Sequence, residues 1–264
     1  MAQFAPVGPP QILQILKDAD ALGSYHLLLA HEVAANPDLY VALMRGSKQT
    51  IIMDNGAFEL GKPCDLATMR KAVMPLRDDG HDVIVALPDI IGEAEKTVDL
   101  VDLHFDLWER AMLAPFMFIP QGKNFNEWAE CLDSLFSLFG LFSRGSIHSW
   151  GIPRFLGNVE GNRTGAIKAL HTFGIRSNIH LLGFSNNPFA DLQDAQIEGV
   201  TGIDSSEPLR AGIEQQAWVV NNPLKLMTRG SQYWNLDASS LTKSQTSQMI
   251  ENVKMVRRFV NGSA

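Results

Sequence analysis

Apolar runs of five to seven residues recur along this chain at a step of very roughly 30 residues, and a segment with helical spacing follows each one. The runs fall at 25–30, 49–54, 82–87, 115–120, 146–150, 178–184 and 199–203. Apolar stripes of helical period lie between them at 37–44, 66–78, 93–111, 126–139, 162–173 and 189–198, and a further helix precedes the first run at 10–22. This is the βαβ rhythm of a parallel sheet with helices on its outer face. Seven strands need an eighth to close a ring. It is expected between 216 and 233, where 217–220 is the best short run and Pro223 breaks the stretch beyond it. Residues 242–259 close the chain as an amphipathic helix, with Lys254, Arg257 and Arg258 near the end that the helix dipole makes negative. The expected fold is α/β, a (β/α)8 TIM barrel occupying 1–264 as one domain, since such barrels take about 250 residues.

The totals narrow the function classes. Hydrophobic residues make up 45% of the chain and charged residues 19%, enough to bury a large core. The net charge of -7 argues against an overall basic coat for nucleic acid, so any such contact has to be local. Cys64 and Cys131 stand far apart outside any C-x-x-C pattern, which offers neither a disulfide framework nor a cysteine-rich zinc site. The scattered histidines form no ligand pattern, so no metal is expected. No charged leader opens the chain, and no run approaches the roughly 18 apolar residues of a membrane span. A cytoplasmic setting without membrane contact is the expectation. The Phe-rich run 135–142 reads as core or as a subunit interface, the latter implying a homodimer.

Catalytic groups of a parallel barrel collect where strands end and βα loops begin. Here the apolar runs end in Asp54-Asn55-Gly56-Ala57-Phe58, Pro88-Asp89, Pro120-Gln121-Gly122, Trp150-Gly151-Ile152-Pro153-Arg154, Gly183-Phe184-Ser185 and Asp204-Ser205-Ser206. One aspartate after a strand is most simply a cap or turn residue, and Asn-Gly alone marks a turn. Three aspartates and a glutamine at corresponding places point to a shared mouth. The same carboxylates would equally serve a hydrolase or lyase of small metabolites.

In order and spacing, these strand ends together with Pro6-Val7-Gly8, Tyr25-His26-Leu27-Leu28, His180-Leu181-Leu182-Gly183 and residues 199–210 resemble the tRNA-guanine transglycosylase superfamily. The resemblance covers about Pro6 to Arg210. It implies a barrel enzyme that exchanges guanine in a nucleic acid for a 7-deazaguanine base, with no cofactor. By the same likeness Asp204 is the nucleophile and Asp54 the general acid/base. Asp89 and Gln121 read the guanine edge, Gly122, Gly151 and Ile152 flank the base, and Asn55 and Phe58 belong to the same substrate pocket. The chain departs from the family in Asn55 and Ala57, where the family motif has Ser and Gly, and in lacking the family's C-terminal zinc module that helps hold tRNA. It is similar in this to the short branch of phages and bacterial modification clusters that inserts bases such as preQ0 into DNA. The expected partner is therefore DNA, with tRNA as the alternative, in the cytoplasm or, for a phage protein, that of its host.

The chemistry implied is a double displacement. A carboxylate below the sugar captures the anomeric carbon, and a second one protonates the leaving base. A target nucleotide must leave the stack to reach a barrel mouth, and cations at the rim offset that cost. Arg154, Arg210, Lys225 and Arg229 are the candidates for phosphate contact.

Overall fold

A computed structural model of the chain describes residues 1–46, 48–112, 114–139, 147–158, 162–219 and 230–262. The strands are β1 (Gln3–Pro6), β2 (Tyr25–Leu29), β3 (Thr50–Asp54), β4 (Asp82–Ala86), β5 (Phe116–Phe118), β6 (Ile147–Pro153), β7 (Ile179–Leu182) and β8 (Val200–Ser205). They form one parallel sheet in the order β1-β8-β7-β6-β5-β4-β3-β2. The two ends meet, since β1 also packs against β2, and the sheet curls into a nearly closed (β/α)8 barrel.

The helices are α1 (Pro10–Asp18), α2 (Ala30–Ala35), α3 (Pro37–Met44), α4 (Ala57–Leu60), α5 (Leu66–Asp78), α6 (Ala94–Met112), α7 (Phe125–Phe139), α8 (Phe155–Asn158), α9 (Asn162–Thr172), α10 (Pro188–Asp194), α11 (Glu207–Ile213), α12 (Gly230–Trp234) and α13 (Lys243–Val260). The longer ones cover the outside of the barrel. The last opens with a capping box, Thr242 and Gln245 each binding the other's backbone N–H.

The eighth strand is at the start of the chain, as β1, and not in the stretch 217–220. Residues 217–219 carry no regular structure: the Trp218 N–H is taken by Asn252 Oδ1 at 2.9 Å, and 220 lies outside the described residues. Four residues ending in Pro6 give no periodic signal, yet they suffice because β1 is paired to β8 along its length, with Ala5 opposite Asp204. The fifth run also extends further than its sequence suggests, so that Gly151, Ile152 and Pro153 belong to β6 itself.

Two apolar layers follow from the alternation of side chains along strands. Tyr25, Leu27, Leu29, Ile52, Ala86 and Met117 fill the inside of the barrel. Leu28, Ile51, Met53, Val85 and Ile203 face the helices. Counting by twos from Ile52 turns Asp54 inward, and from Met117 and Ile119 turns Gln121 inward. On β8 the count needs a correction. Val200 and Ile203 both face the helices, and the β7–β8 register slips between them, with Ile179 opposite Val200 but His180 opposite Gly202. Thr201 is the extra residue of a β-bulge, which re-aims the residues beyond it. Gly202 and Asp204 point into the barrel as a result.

Candidate active site

Asp204, on the inner face of β8, is buried and held from two directions. Its Oδ1 accepts from His180 Nε2 at 2.9 Å and from the Gly183 N–H at 3.0 Å. Among the described residues no hydrogen bond falls on Oδ2. Gly183 has φ +65°, a left-handed conformation that suits glycine and directs its N–H inward at the end of β7. The turn behind it is fixed in turn: the Leu182 carbonyl accepts from Arg163 Nη2 at 2.5 Å, and Asp191 Oδ2 accepts from the Ser185 N–H at 2.5 Å. Arg163 and Asp191 are a buried ion pair at 2.8 Å.

Asp54 closes β3 at the same end of the barrel, and its surroundings differ. Its one hydrogen bond from the described residues is from the Gly56 N–H at 3.1 Å, made possible by Gly56 turning left-handed at φ +73°. Burial first, then the charge of Glu59, and with them Asp89 and Asp204, push the Asp54 carboxyl well above the usual carboxylate range, against the weaker pull of that one N–H. Asp54 therefore keeps its proton to higher pH than an ordinary carboxyl does.

Asp89 and Gln121 form one unit. Gln121 Nε2 donates to Asp89 Oδ2 at 2.6 Å, and Asn55 Nδ2 donates to Asp89 Oδ1 at 2.7 Å. Burial pushes the Asp89 carboxyl up to about 6, with both amide bonds opposing. Gln121 is oriented by its own contacts, its Oε1 accepting from the Gly92 N–H at 3.2 Å. Each Asp89 oxygen keeps a lone pair and Gln121 Nε2 a second hydrogen, an acceptor-acceptor-donor edge. Asn55 has no hydrogen left to offer: those on its Nδ2 go to Asp89 and the Leu87 carbonyl while its Oδ1 accepts from the Ala57 N–H, so it ties β3 to β4 and supports Asp89.

The remaining expected site residues divide. Phe58 is exposed at the mouth with the Arg154 guanidinium 4.2 Å from its ring centre, an aromatic and a cation presented together. Gly122 and Gly151 are glycines for packing reasons. A side chain at Gly122 would meet the Trp128 backbone N at 2.5 Å, and one at Gly151 would meet Leu182 and Ile119 inside the barrel at about 3 Å. The Ile152 side chain faces the helices and not the mouth. Arg210 lies in α11 and acts on Glu207 and Tyr233. Lys225 and Arg229 lie outside the described residues.

Residues that the strand-end reading passed over also reach the site. Glu59, exposed at the mouth, adds a further carboxylate there, its pKa raised by partial desolvation and by Asp204 and lowered by Arg154. His180 looks in the sequence like an ordinary strand residue, and only its inward register marks it. Trp234 packs against the inner barrel cluster from α12. Two surface cavities of about 400 Å³ are present, one beside Lys254 and Arg258, the other beside Arg163 and Asp194. Neither is lined by Asp54, Asp89, Gln121 or Asp204, and the chemistry of the mouth locates the site better than cavity size does. Among the described residues no helix is long and apolar enough to cross a membrane, and no His, Cys, Asp or Glu group has a metal-holding arrangement.

No family model matches the chain, and no curated protein matches it. Solved structures do. A protein provisionally assigned as a fructose-1,6-biphosphate aldolase from Coccidioides immitis superposes over 100% of this chain and 92% of its own, with a TM-score of 0.56 at 13% identity. A 3-keto-D-glucoside 4-epimerase from E. coli superposes over 78% of this chain and 91% of its own, with a TM-score of 0.49 at 11% identity. At such identities the first likeness establishes the shared barrel fold and nothing finer about the chemistry.

Proposed function

We propose that this protein is a base-exchange transglycosylase, one that replaces guanine in DNA with a 7-deazaguanine such as preQ0 through a covalent intermediate on Asp204. The observation that carries the reading is the division between two carboxylates at one mouth. Asp204 has one oxygen bound by two N–H donors and the other without a hydrogen bond from the described residues, while Asp54 is desolvated among like charges that raise its pKa. Environments that separate two carboxylates in this way separate a nucleophile from a general acid.

The steps balance on these groups alone. Asp204 Oδ2 donates an electron pair to C1′ of the flipped nucleotide, the C1′–N9 bond breaks, and its electrons leave on guanine, which takes the proton of Asp54. The incoming base then gives its N9 proton to Asp54, attacks C1′ and displaces Asp204. Two displacements at one carbon restore its configuration, as an intact strand requires. The Asp89 lone pairs face the guanine N1–H and N2–H, and the second Gln121 N–H faces O6. At pH well above 6 the Asp89 carboxylate is the acceptor that this pairing needs. Phe58 and Arg154 offer a stacking face and a phosphate contact at the rim.

DNA is proposed over tRNA because the sequence resembles the short DNA-modifying branch. The test is incubation with radiolabelled guanine or 7-deazaguanine and either duplex DNA or tRNA, reading label in the polymer. Label in DNA alone supports the proposal, label in tRNA alone replaces the polymer, and no label in either leaves a barrel enzyme acting on small molecules.

A further inference from the structure

A line of buried polar groups crosses the inside of the barrel from β2 and ends at Asp204. Tyr25 crosses the barrel from β2, and its hydroxyl lies 2.7 Å from His180 Nδ1 on β7. The opposite ring nitrogen, Nε2, lies 2.9 Å from Asp204 Oδ1. Tyr25 and His180 are buried, at 5% and 0% exposure, so water does not share these bonds. Room for the phenol comes from Gly202, where a Cβ would meet the Tyr25 ring at 2.3 Å.

A neutral imidazole has one N–H and one lone pair, and its two neighbours decide which nitrogen has which. A carboxylate only accepts. Tyr25 can give a hydrogen, because burial and then the Asp204 charge hold the phenol in its protonated form. For the neutral ring, both contacts are satisfied by Tyr25 O–H donating to Nδ1 and Nε2–H donating to Asp204.

We propose that Tyr25 and His180 are positioning residues of the nucleophile: the Asp204 carboxylate holds the imidazole as its Nε2–H tautomer, the Tyr25 hydroxyl donates to Nδ1 and anchors the ring, and the anchored Nε2–H pins Oδ1 so that Oδ2 faces the anomeric carbon. This rests on the reading of Asp204 as the nucleophile. No proton moves along the line during exchange. When Oδ2 bonds to C1′, Oδ1 becomes the ester carbonyl and keeps the His180 hydrogen bond. When the incoming base displaces Asp204, the same bond receives the returning carboxylate charge. Both half-reactions therefore use it.

The relay predicts a pattern that a packing role would not produce. Tyr25→Phe keeps the ring against Gly202 and removes only the hydroxyl, so that the buried Nδ1 loses its donor and the imidazole loses its anchor opposite Asp204. We expect kcat for exchange of labelled guanine into duplex DNA to fall on the order of 10- to 100-fold with KM for DNA unchanged, the cost of leaving one buried acceptor unsatisfied. His180→Gln, whose amide N–H needs no tautomer, should retain far more activity than His180→Leu. On the His180→Gln background, adding Tyr25→Phe should cost much less than it does in the wild type. Equal costs in the two backgrounds would overturn the relay. Independently of any reaction, ¹⁵N NMR of the free protein, with His180 assigned by its loss in His180→Gln, should show Nε2 protonated and Nδ1 bare. In the Tyr25→Phe protein Nε2 should stay protonated while the Nδ1 resonance moves downfield, as it does when a bare ring nitrogen loses its hydrogen bond. An Nδ1–H tautomer in the wild type, or no change in Tyr25→Phe, would refute the proposal, whereas the expected spectrum without base exchange would remove the transglycosylase reading and leave the hydrogen-bonded line intact.

Discussion

Replacing Arg163 by methionine tests how the support of Asp204 is built. The guanidinium is fully buried, pairs with Asp191 at 2.8 Å and donates to the Leu182 carbonyl at 2.5 Å. Methionine fills much of the volume but leaves Asp191, itself 1% exposed, with the Ser185 N–H as the one partner of its side chain among the described residues. Removing one partner of a buried pair costs about 3–5 kcal/mol, because the other charge stays behind unpaired. For a chain of this size each kcal/mol lowers Tm by about 2–4 °C, so the expected fall is roughly 6–20 °C. Thermal unfolding followed by circular dichroism, with urea titration as the check on ΔG, measures it. The double variant Arg163→Met/Asp191→Leu removes both charges and should recover a large part of the loss. Its exchange rate should stay low, because the Leu182–Ser185 turn that holds the Gly183 N–H toward Asp204 has lost its clamp. A single variant costing less than about 1 kcal/mol, or a double variant no more stable than the single, would refute this reasoning.

Three further outcomes are expected. Asp54→Asn should end exchange yet raise Tm at pH 7–8: because the Asp54 pKa is raised in the fold, the unfolded chain gives up that proton first, so stability is lost as pH rises from the ordinary carboxylate range toward the folded value, and the gain from Asn should vanish as pH falls toward 4. His26 is held neutral mainly by burial, its pKa lowered from 6.5 to about 4. The unfolded chain binds that proton first, so stability is fully present above pH 6.5 and falls by up to about 1.4 kcal/mol per pH unit between 6.5 and 4, a slope that His26→Gln should flatten in urea titrations. Arg154→Ala should weaken DNA binding and reduce the magnitude of the log Kd against log salt slope by about 1, with no such change if Arg154 serves only to cover Phe58.

The strands β2 to β8 and the longer helices were legible because each buries one face and repeats a period long enough to read. β1 was not: four residues ending in proline have no period, and their place is decided by pairing with β8. Asp54, Asp89 and Gln121 were legible as polar ends of apolar runs. The direction of Asp204 was not, since strict alternation from Val200 turns it outward and only the bulge at Thr201 brings it in. Asn55 and Gly122 draw attention by sequence position, but their partners are Asp89 and the α7 backbone, contacts that depend on which strands are neighbours. Tyr25 and His180 are distant in the chain and meet only because the barrel closes β2 toward β7 across its interior.

The claim that Asp204 attacks the sugar is tested most directly by trapping. Duplex DNA containing the target guanine, incubated with the protein without an incoming base and then denatured, should yield a protein–DNA band that digestion and mass spectrometry map to the peptide containing Asp204. Asp204→Ala should give no band. An adduct on another residue, or a band that persists in Asp204→Ala, would contradict the account.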